Sequence, residues 1–327
     1  MLRCFFPLKN KLPFTIRLRW AAVRLYSCIP EPLLRLLVRP NAFLLRCIVR
    51  YRRNVVRSNL RRAFSQADQA QLRATEVRFY RHLAAMFLMG LKVPFESEKR
   101  LRKHFSLKGL ELITDLKEKG YKTIFVTMGH CGDWELFSAS PIYLNALGIK
   151  LVNVYKALHN ASGDLIAKRL RTMHGAEAIE MFEVPRYVLA AQNATNDAET
   201  RLIVFLADQC PGREQAHYGT LFLNQPTTFL DGWARLAHKL GLPVVYLEIV
   251  PKRRGRHWQG TMQLLTADAA QMSIPELMER YVIALERNIR RAPSFWLWSH
   301  KRWRFTPDDI PGIVRSNTLS NRASTSA

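Results

Sequence analysis

A histidine with glycines close on both sides, His130, lies between an apolar, β-branched run from Thr123 to Met128 and the triplet Asp133-Trp134-Glu135. Imidazole titrates near neutral pH, so a histidine on such a loop can take a proton from a hydroxyl that attacks a carbonyl. It does so better when a carboxylate fixes its tautomer and stabilises the imidazolium. Glu135 is the expected partner, with Asp133 the competing candidate. Another polar pair, Asp208-Gln209, directly follows an apolar run from Arg201 to Ala207; a turn of this kind serves equally to bond nearby backbone. Lys156, Arg169 and Arg171 suit phosphoryl groups, or else form a solvated helix face. Cys131 and Cys210, with His130 and an acid, have the residue types of a zinc site. Neither the Gly-x-Ser-x-Gly elbow of serine hydrolases nor a Gly-rich nucleotide fingerprint occurs.

The elements that must hold these groups can be read from patterning. Thr123 to Met128 has the length and composition of a buried parallel strand. Gly129 to Gly132 makes a turn, and Asp133 is placed to cap a helix opening at Trp134. His130 therefore belongs at the carboxyl end of a sheet, the crevice where open α/β folds bind ligands. Further strands are expected over Leu151–Tyr155, Ala178–Phe182, Arg201–Ala207, Pro243–Val250 and Gln259–Leu265. Helices are expected over Leu107–Lys119, 160–174, Pro185–Ala194 and Thr228–Lys239, and a last long one opens with the capping-box pair Ser273 and Glu276. This alternation predicts an α/β fold, a mostly parallel central sheet covered by helices. The expected organisation is a membrane-associating region over 1–50, a helical segment over 51–104 packed on the catalytic domain, an α/β domain over 105–310 and a disordered tail over 311–327.

Composition narrows the partners. The formal charge of +24 demands an anionic one: nucleic acid, an anionic membrane or a phosphorylated substrate. No zinc finger, RNP-like sequence or homeodomain pattern supports nucleic acid. Five scattered cysteines without a CxxC pair indicate neither a disulfide framework nor a zinc ribbon, and fit a reducing compartment. Before Asp68 the only acid is Glu31, and between Leu12 and Arg53 apolar stretches alternate with arginines. No uncharged run there reaches the ~20 residues of a spanning helix, and the arginines interrupt any signal-peptide centre. The pattern is that of a helix lying in a membrane interface, or of a basic amphipathic helix packed on the protein.

The segment from His130 to Glu135 resembles the His-x4-Asp/Glu motif of acyltransferases acting on glycerolipids, and its Gly-x-Trp-Glu ending resembles the lipid A late (secondary) acyltransferases. Tyr155-Lys156 with Asn160 and Arg169, Ala207-Asp208-Gln209-Cys210-Pro211-Gly212, and Trp296-Leu297-Trp298-Ser299-His300-Lys301-Arg302-Trp303 are similar to that family's other blocks, in the same order. The basic run from Tyr51 to Leu60 resembles its amino-terminal helix ending in Asn-Leu. The resemblance implies a glycerolipid-acyltransferase-like fold and transfer of an acyl chain from acyl carrier protein to a hydroxyl of a lipid A precursor. It implies His130 as general base and Glu135 as its orienting partner, with backbone N–H groups of the glycine-rich loop on the oxyanion. Lys156, Asn160, Arg169, Asp208 and Gln209 would bind substrate, with no metal and no cofactor. Lys156 stands where the family has arginine, exchanging a bidentate fork for a point charge. The tryptophan cluster is expected in a mixed role, core and interface, with Trp303 and Arg304 outermost. The implied location is the cytoplasmic face of the inner membrane, on anionic lipids, although relatives often carry a spanning helix that the weak hydropathy here does not match. A lysophospholipid or aminolipid acceptor, and a non-catalytic basic membrane- or nucleic-acid-binding protein, are the alternatives.

Overall fold

The computed structural model describes residues 14–157, 160–194 and 199–316. Within them the chain builds β1 (Phe105–Lys108), β2 (Thr123–Met128), β3 (Ile149–Tyr155), β4 (Glu177–Glu180), β5 (Thr200–Leu206), β6 (Tyr218–Phe222), β7 (Gln225–Phe229), β8 (Val244–Lys252), β9 (His257–Thr266) and β10 (Val314–Arg315). The main sheet has the order β1-β9-β8-β2-β5-β3-β4, and every pairing in it is parallel except the β8–β9 hairpin. A small second sheet has the order β10-β6-β7. The mostly parallel sheet covered by helices is thus as expected.

Burial explains the β-branched, apolar composition of the central strands. Every side chain of β2 is buried, because helices cover both faces. Phe125, Ile203 and Tyr246 face a core closed by helices Arg53–Ala63, Gln69–Gly90, Gly232–Leu240 and Ile274–Arg291. Ile124, Val126, Leu202 and Leu247 face a second core closed by Leu110–Glu118 and the turns around Phe137. The capping box of Ser273 and Glu276 opens the Ile274–Arg291 helix as its sequence predicts.

The amino-terminal helices, Phe14–Ser27 and Glu31–Phe43, are tied to this body by directed bonds. Lys92 donates to the carbonyls of Ser27 (2.5 Å) and Ile29 (2.7 Å), and Tyr26 to that of Leu88 (2.8 Å). Buried Glu76 accepts from Arg46, Arg53 and Arg57, each at 3.1 Å, so one carboxylate compensates a strongly basic stretch. The outward side leaves Phe14, Leu18, Leu25, Leu36 and Phe43 exposed. No helix among the described residues is long and apolar enough to cross a membrane. Residues 1–13 of the expected membrane region and 317–327 of the expected tail lie outside the described residues.

Two expectations of local structure are corrected. The helix expected from Leu107 begins at Leu110, and Phe105–Lys108 is an edge strand beside β9. Gly109 makes the break: its φ is +80°, and a Cβ there would meet the Met262 carbonyl at 2.8 Å. The helix expected from Thr228 begins at Gly232, because Gln225–Phe229 forms a hairpin with Tyr218–Phe222. Its turn uses Leu223 and Asn224 at positive φ, where glycine is usual. Leu223 is held there by full burial and by its N–H bond to Glu286 (2.7 Å).

Candidate active site

The register of two strands assembles the site. Met128 at the end of β2 pairs with Leu206 at the end of β5, so the loops after them leave the sheet side by side. His130 and Asp208 each lie two residues beyond that pair. The His130 Nδ1 and Asp208 Oδ1 are 2.5 Å apart. Asp208 Oδ2 accepts from the His130 backbone N–H (2.9 Å) and from the Trp296 indole N–H (2.7 Å). A carboxylate holding these donors is acceptor-only, so Nδ1 carries a proton and, in the neutral ring, Nε2 carries the lone pair. Gln209 Nε2 stands 3.3 Å from that lone pair, where a donor from a ligand would stand. Burial alone would raise the Asp208 pKa, but the electrostatic pull of His130 and the hydrogen bonds from its ring, from Trp296 and from the His130 backbone N–H hold it down to about 2.

The loop around His130 is built for close approach. A Cβ on Gly129 would collide with Leu285, and one on Gly132, at φ +62°, with Ile249 and Trp258. The carboxy-terminal motif clamps the loop from above: Leu297 N–H donates to the His130 carbonyl (3.1 Å), and Gly132 N–H to that of Phe295 (2.7 Å). Trp296 and Trp298 are buried, Trp298 completely, so both tryptophans are core rather than surface anchors. Half-buried Trp303 donates its indole N–H to Thr227 (2.8 Å), and Arg304 is exposed. Asn59, in the basic helix Arg53–Ala63, donates to the carbonyls of Trp298 and His300, both at 2.9 Å, and thereby braces the clamp. His300 Nε2 accepts from the Cys210 N–H (2.9 Å), and its pKa is pushed down to about 4, first by burial. A ring held neutral in this way keeps an acceptor for the turn after Asp208.

The backbone of this loop has no donor to spare at His130, Cys131 or Gly132. Their N–H groups go to Asp208, to the Gly129 carbonyl (2.7 Å) and to the Phe295 carbonyl. The oxyanion role expected of the glycine-rich loop therefore does not fall to these three N–H groups, which folding the turn consumes.

A cavity of about 530 Å³ opens in front of the imidazole. Met128, Met181, Phe205, Trp233 and Leu236 supply apolar wall, and His130, Glu135, Lys156, Arg171 and Gln209 supply polar groups. The Trp134 ring meets the imidazole edge-on, with centroids 5.0 Å apart. Glu135 lies on the cavity wall, where it faces Arg171 at 3.5 Å and not the His130 ring. The carboxylate bonded to the imidazole is thus that of Asp208, in place of the expected Glu135 and of its competitor Asp133. The reason is geometric: the turn from Trp134 to Ala139 is a tight 3-10 helix that carries Glu135 away from Nδ1. Asp133 makes no capping bond and lines a separate small cavity with His82 and Leu136. Burial first, and then nearby Glu135, raise its pKa to about 7.

Of the other residues expected to bind substrate, Lys156 and Gln209 line the cavity. Asn160 instead accepts the Gly163 N–H (3.0 Å) and caps the helix Ala161–Thr172. Arg169 stacks over Trp20 at 5.0 Å, which fastens that helix to Phe14–Ser27. Asp208 is not in the cavity wall but behind the imidazole. Trp296, as donor to Asp208, and Arg302, wholly buried over Phe229 at 4.3 Å, are structural parts of the centre that residue types alone did not assign. No group of three or more histidines, cysteines or acids among the described residues is placed to hold a metal.

A histidine with a fixed tautomer, its lone pair facing a mostly apolar cavity with cations at its rim, can deprotonate a hydroxyl beside a bound alkyl chain. Comparison with curated proteins returns no match. The chain does match the bacterial lipid A biosynthesis acyltransferases over residues 11–305. That span holds the whole central sheet, the His130 loop, the Asp208 turn and the carboxy-terminal clamp. This protein is an acyltransferase and belongs to the bacterial lipid A biosynthesis acyltransferase family.

Proposed function

We propose that the enzyme transfers a fatty acyl chain from acyl carrier protein to a hydroxyl of a lipid A precursor, at the cytoplasmic face of the inner membrane. His130 is the general base and Asp208 its orienting partner. Nε2 takes the proton as the acceptor oxygen attacks the thioester carbon. The tetrahedral intermediate collapses, and the departing thiolate of the carrier recovers that proton from the imidazolium. Lys156 and Arg171 supply positive potential to the developing negative charge and to the acceptor's phosphates. The apolar wall receives the alkyl chain. The observation that carries this reading is the His130–Asp208 contact, which fixes the tautomer whose Nε2 faces a mostly apolar cavity.

The test is acyl transfer by the purified protein from loaded carrier protein to an underacylated lipid A precursor, with a lysophospholipid in a parallel reaction. His130→Ala is expected to lower turnover by ~10²–10⁴ with the fold retained. Full activity in that variant would remove the base. Transfer to the lysophospholipid alone would replace the acceptor.

A further inference from the structure

Away from the His130 cavity, an open cleft of about 720 Å³ lies between the helix Glu31–Phe43, the helix Glu98–His104 and the turn joining β8 to β9. Arg35 and Arg39 come from the first, Lys103 and His104 from the second, Arg253 and Arg256 from the third. Glu31 is the acid among these lining residues, and it is already engaged, by Arg35 at 2.5 Å and by His104 at 3.2 Å. Arg39, Lys103, Arg253 and Arg256 make no ion pair with a carboxylate among the described residues. Segments remote in sequence thus bring together like charges that the protein does not neutralise, and their summed positive potential draws an anion.

The apolar surroundings identify the anion. At about 100° per residue, Leu36 and Phe43 lie roughly a quarter turn from the Arg35–Arg39 stripe of the same helix. Leu36 is 73% and Phe43 61% exposed. Cations grouped beside solvent-facing large apolar side chains match a bilayer surface, where phosphates meet the cations and acyl chains receive the apolar groups. An acidic protein partner would use the cations and leave Leu36 and Phe43 in water. The cleft and the His130 cavity share no lining residue, so the cleft is a separate site from the one that faces the imidazole.

We propose that this cleft binds the phosphate of an anionic glycerophospholipid headgroup, with Leu36 and Phe43 entering the bilayer beside it. The membrane contact is then composite: the α/β body contributes Lys103, Arg253 and Arg256 to a surface begun by the amino-terminal helices. This inference does not rest on the acyl-transfer reading, since vesicle binding is measured without turnover.

The experiment is co-sedimentation of the full-length protein with phosphatidylcholine vesicles, with and without phosphatidylglycerol. Arg39→Gln/Arg253→Gln is compared with Lys119→Gln/Lys239→Gln, which removes the same charge from exposed positions outside the cleft. A cation near an anionic leaflet contributes about fivefold in affinity, so the cleft pair is expected to lose roughly 25-fold on phosphatidylglycerol vesicles. The control pair is expected to lose far less. Lys103→Gln is a second cleft variant should the pair fold poorly, with about a fivefold loss expected. Equal losses in the cleft and control pairs would overturn the site. So would inorganic phosphate binding that is lost in the cleft pair while vesicle affinity is unchanged, the mark of a soluble-anion site. A raised acceptor KM for the cleft pair in detergent micelles would move the phosphate to the acceptor and overturn the lipid assignment.

Discussion

Asp208→Asn is the most informative perturbation of the proposed centre, because the geometry dictates how an amide must sit. Oδ2 accepts two donors, the His130 backbone N–H and the Trp296 indole, whereas among the described residues Oδ1 accepts only the ring Nδ1–H. An asparagine keeps both Oδ2 bonds only by placing its oxygen there, which turns its NH₂ towards Nδ1. Two donors would then face each other. The ring relieves this by moving its proton to Nε2, which leaves no lone pair facing the cavity. A general base lost through the wrong tautomer costs about 10³–10⁴ in turnover, by analogy with the serine-protease triad. Substrate contacts on the cavity wall are untouched, so KM should stay within a few-fold. Replacing a charge-assisted hydrogen bond in the core should lower stability by about 1–3 kcal/mol. The assay is steady-state acyl transfer in detergent micelles, with ¹⁵N NMR of the histidine ring to read the tautomer. Turnover within about tenfold of wild type, or an unchanged Nδ1–H tautomer in the variant, would refute the assignment.

Other consequences concern the neighbouring acids. Glu135 and Arg171 face each other at 3.5 Å on the cavity wall, so Glu135→Gln and Arg171→Met should each lower kcat/KM, with a double variant little worse than the poorer single one. Strictly additive losses, or a change of His130 tautomer in Glu135→Gln, would show that the two do not act as a pair apart from the imidazole. Asp133 has its pKa raised from 3.8 to about 7, chiefly by burial, so the native state binds its proton over a pH range in which the unfolded chain has released it. Its contribution to stability therefore falls as pH rises from about 4 to about 7 and stays low above. Asp133→Asn removes that slope: relative to wild type it should gain on the order of a few kcal/mol between those limits, measured by denaturant unfolding at each pH. His82, whose pKa burial lowers to about 4, opposes this trend in both proteins and cancels in the difference. A stability difference that is flat with pH would mean that Asp133 is not held protonated in the native state.

Much of the fold was legible because the central strands are buried on both faces. A strand such as Thr123–Met128 must then be apolar throughout, and such a run ended by glycines has few other readings. The same rule fails at the margins. Phe105–Lys108 is an edge strand whose burial alternates, and it is short enough to be absorbed into the helical pattern that follows Gly109. The β6–β7 hairpin turns at Leu223 and Asn224, and a buried leucine in a left-handed conformation carries none of the usual turn signal. Tertiary contacts, here with Glu286 on the last long helix, make that turn possible, and no local window contains them.

The proposed His130–Asp208 pairing illustrates the same limit at higher stakes. His130, the glycines around it and the importance of the Asp208 turn could all be found along the chain, because each follows an apolar run that ends at the carboxyl edge of a sheet. Which carboxylate meets the imidazole could not, since proximity in sequence favours Glu135 and proximity in space favours Asp208. The decision lies in one strand register, Met128 opposite Leu206, and that register is set by packing across the whole sheet. The bend over residues 130–133 and the 3-10 turn that opens at Trp134 point Glu135 towards Arg171, and a parallel neighbour brings in an acid from 78 positions away. Burial then completes the choice. Asp208 sits in the core among donors that only an ionised carboxylate satisfies, whereas Glu135 is a partly exposed wall residue with a cation of its own. An orienting group must be held more rigidly than the group it orients, and of the two acids only Asp208 is so held.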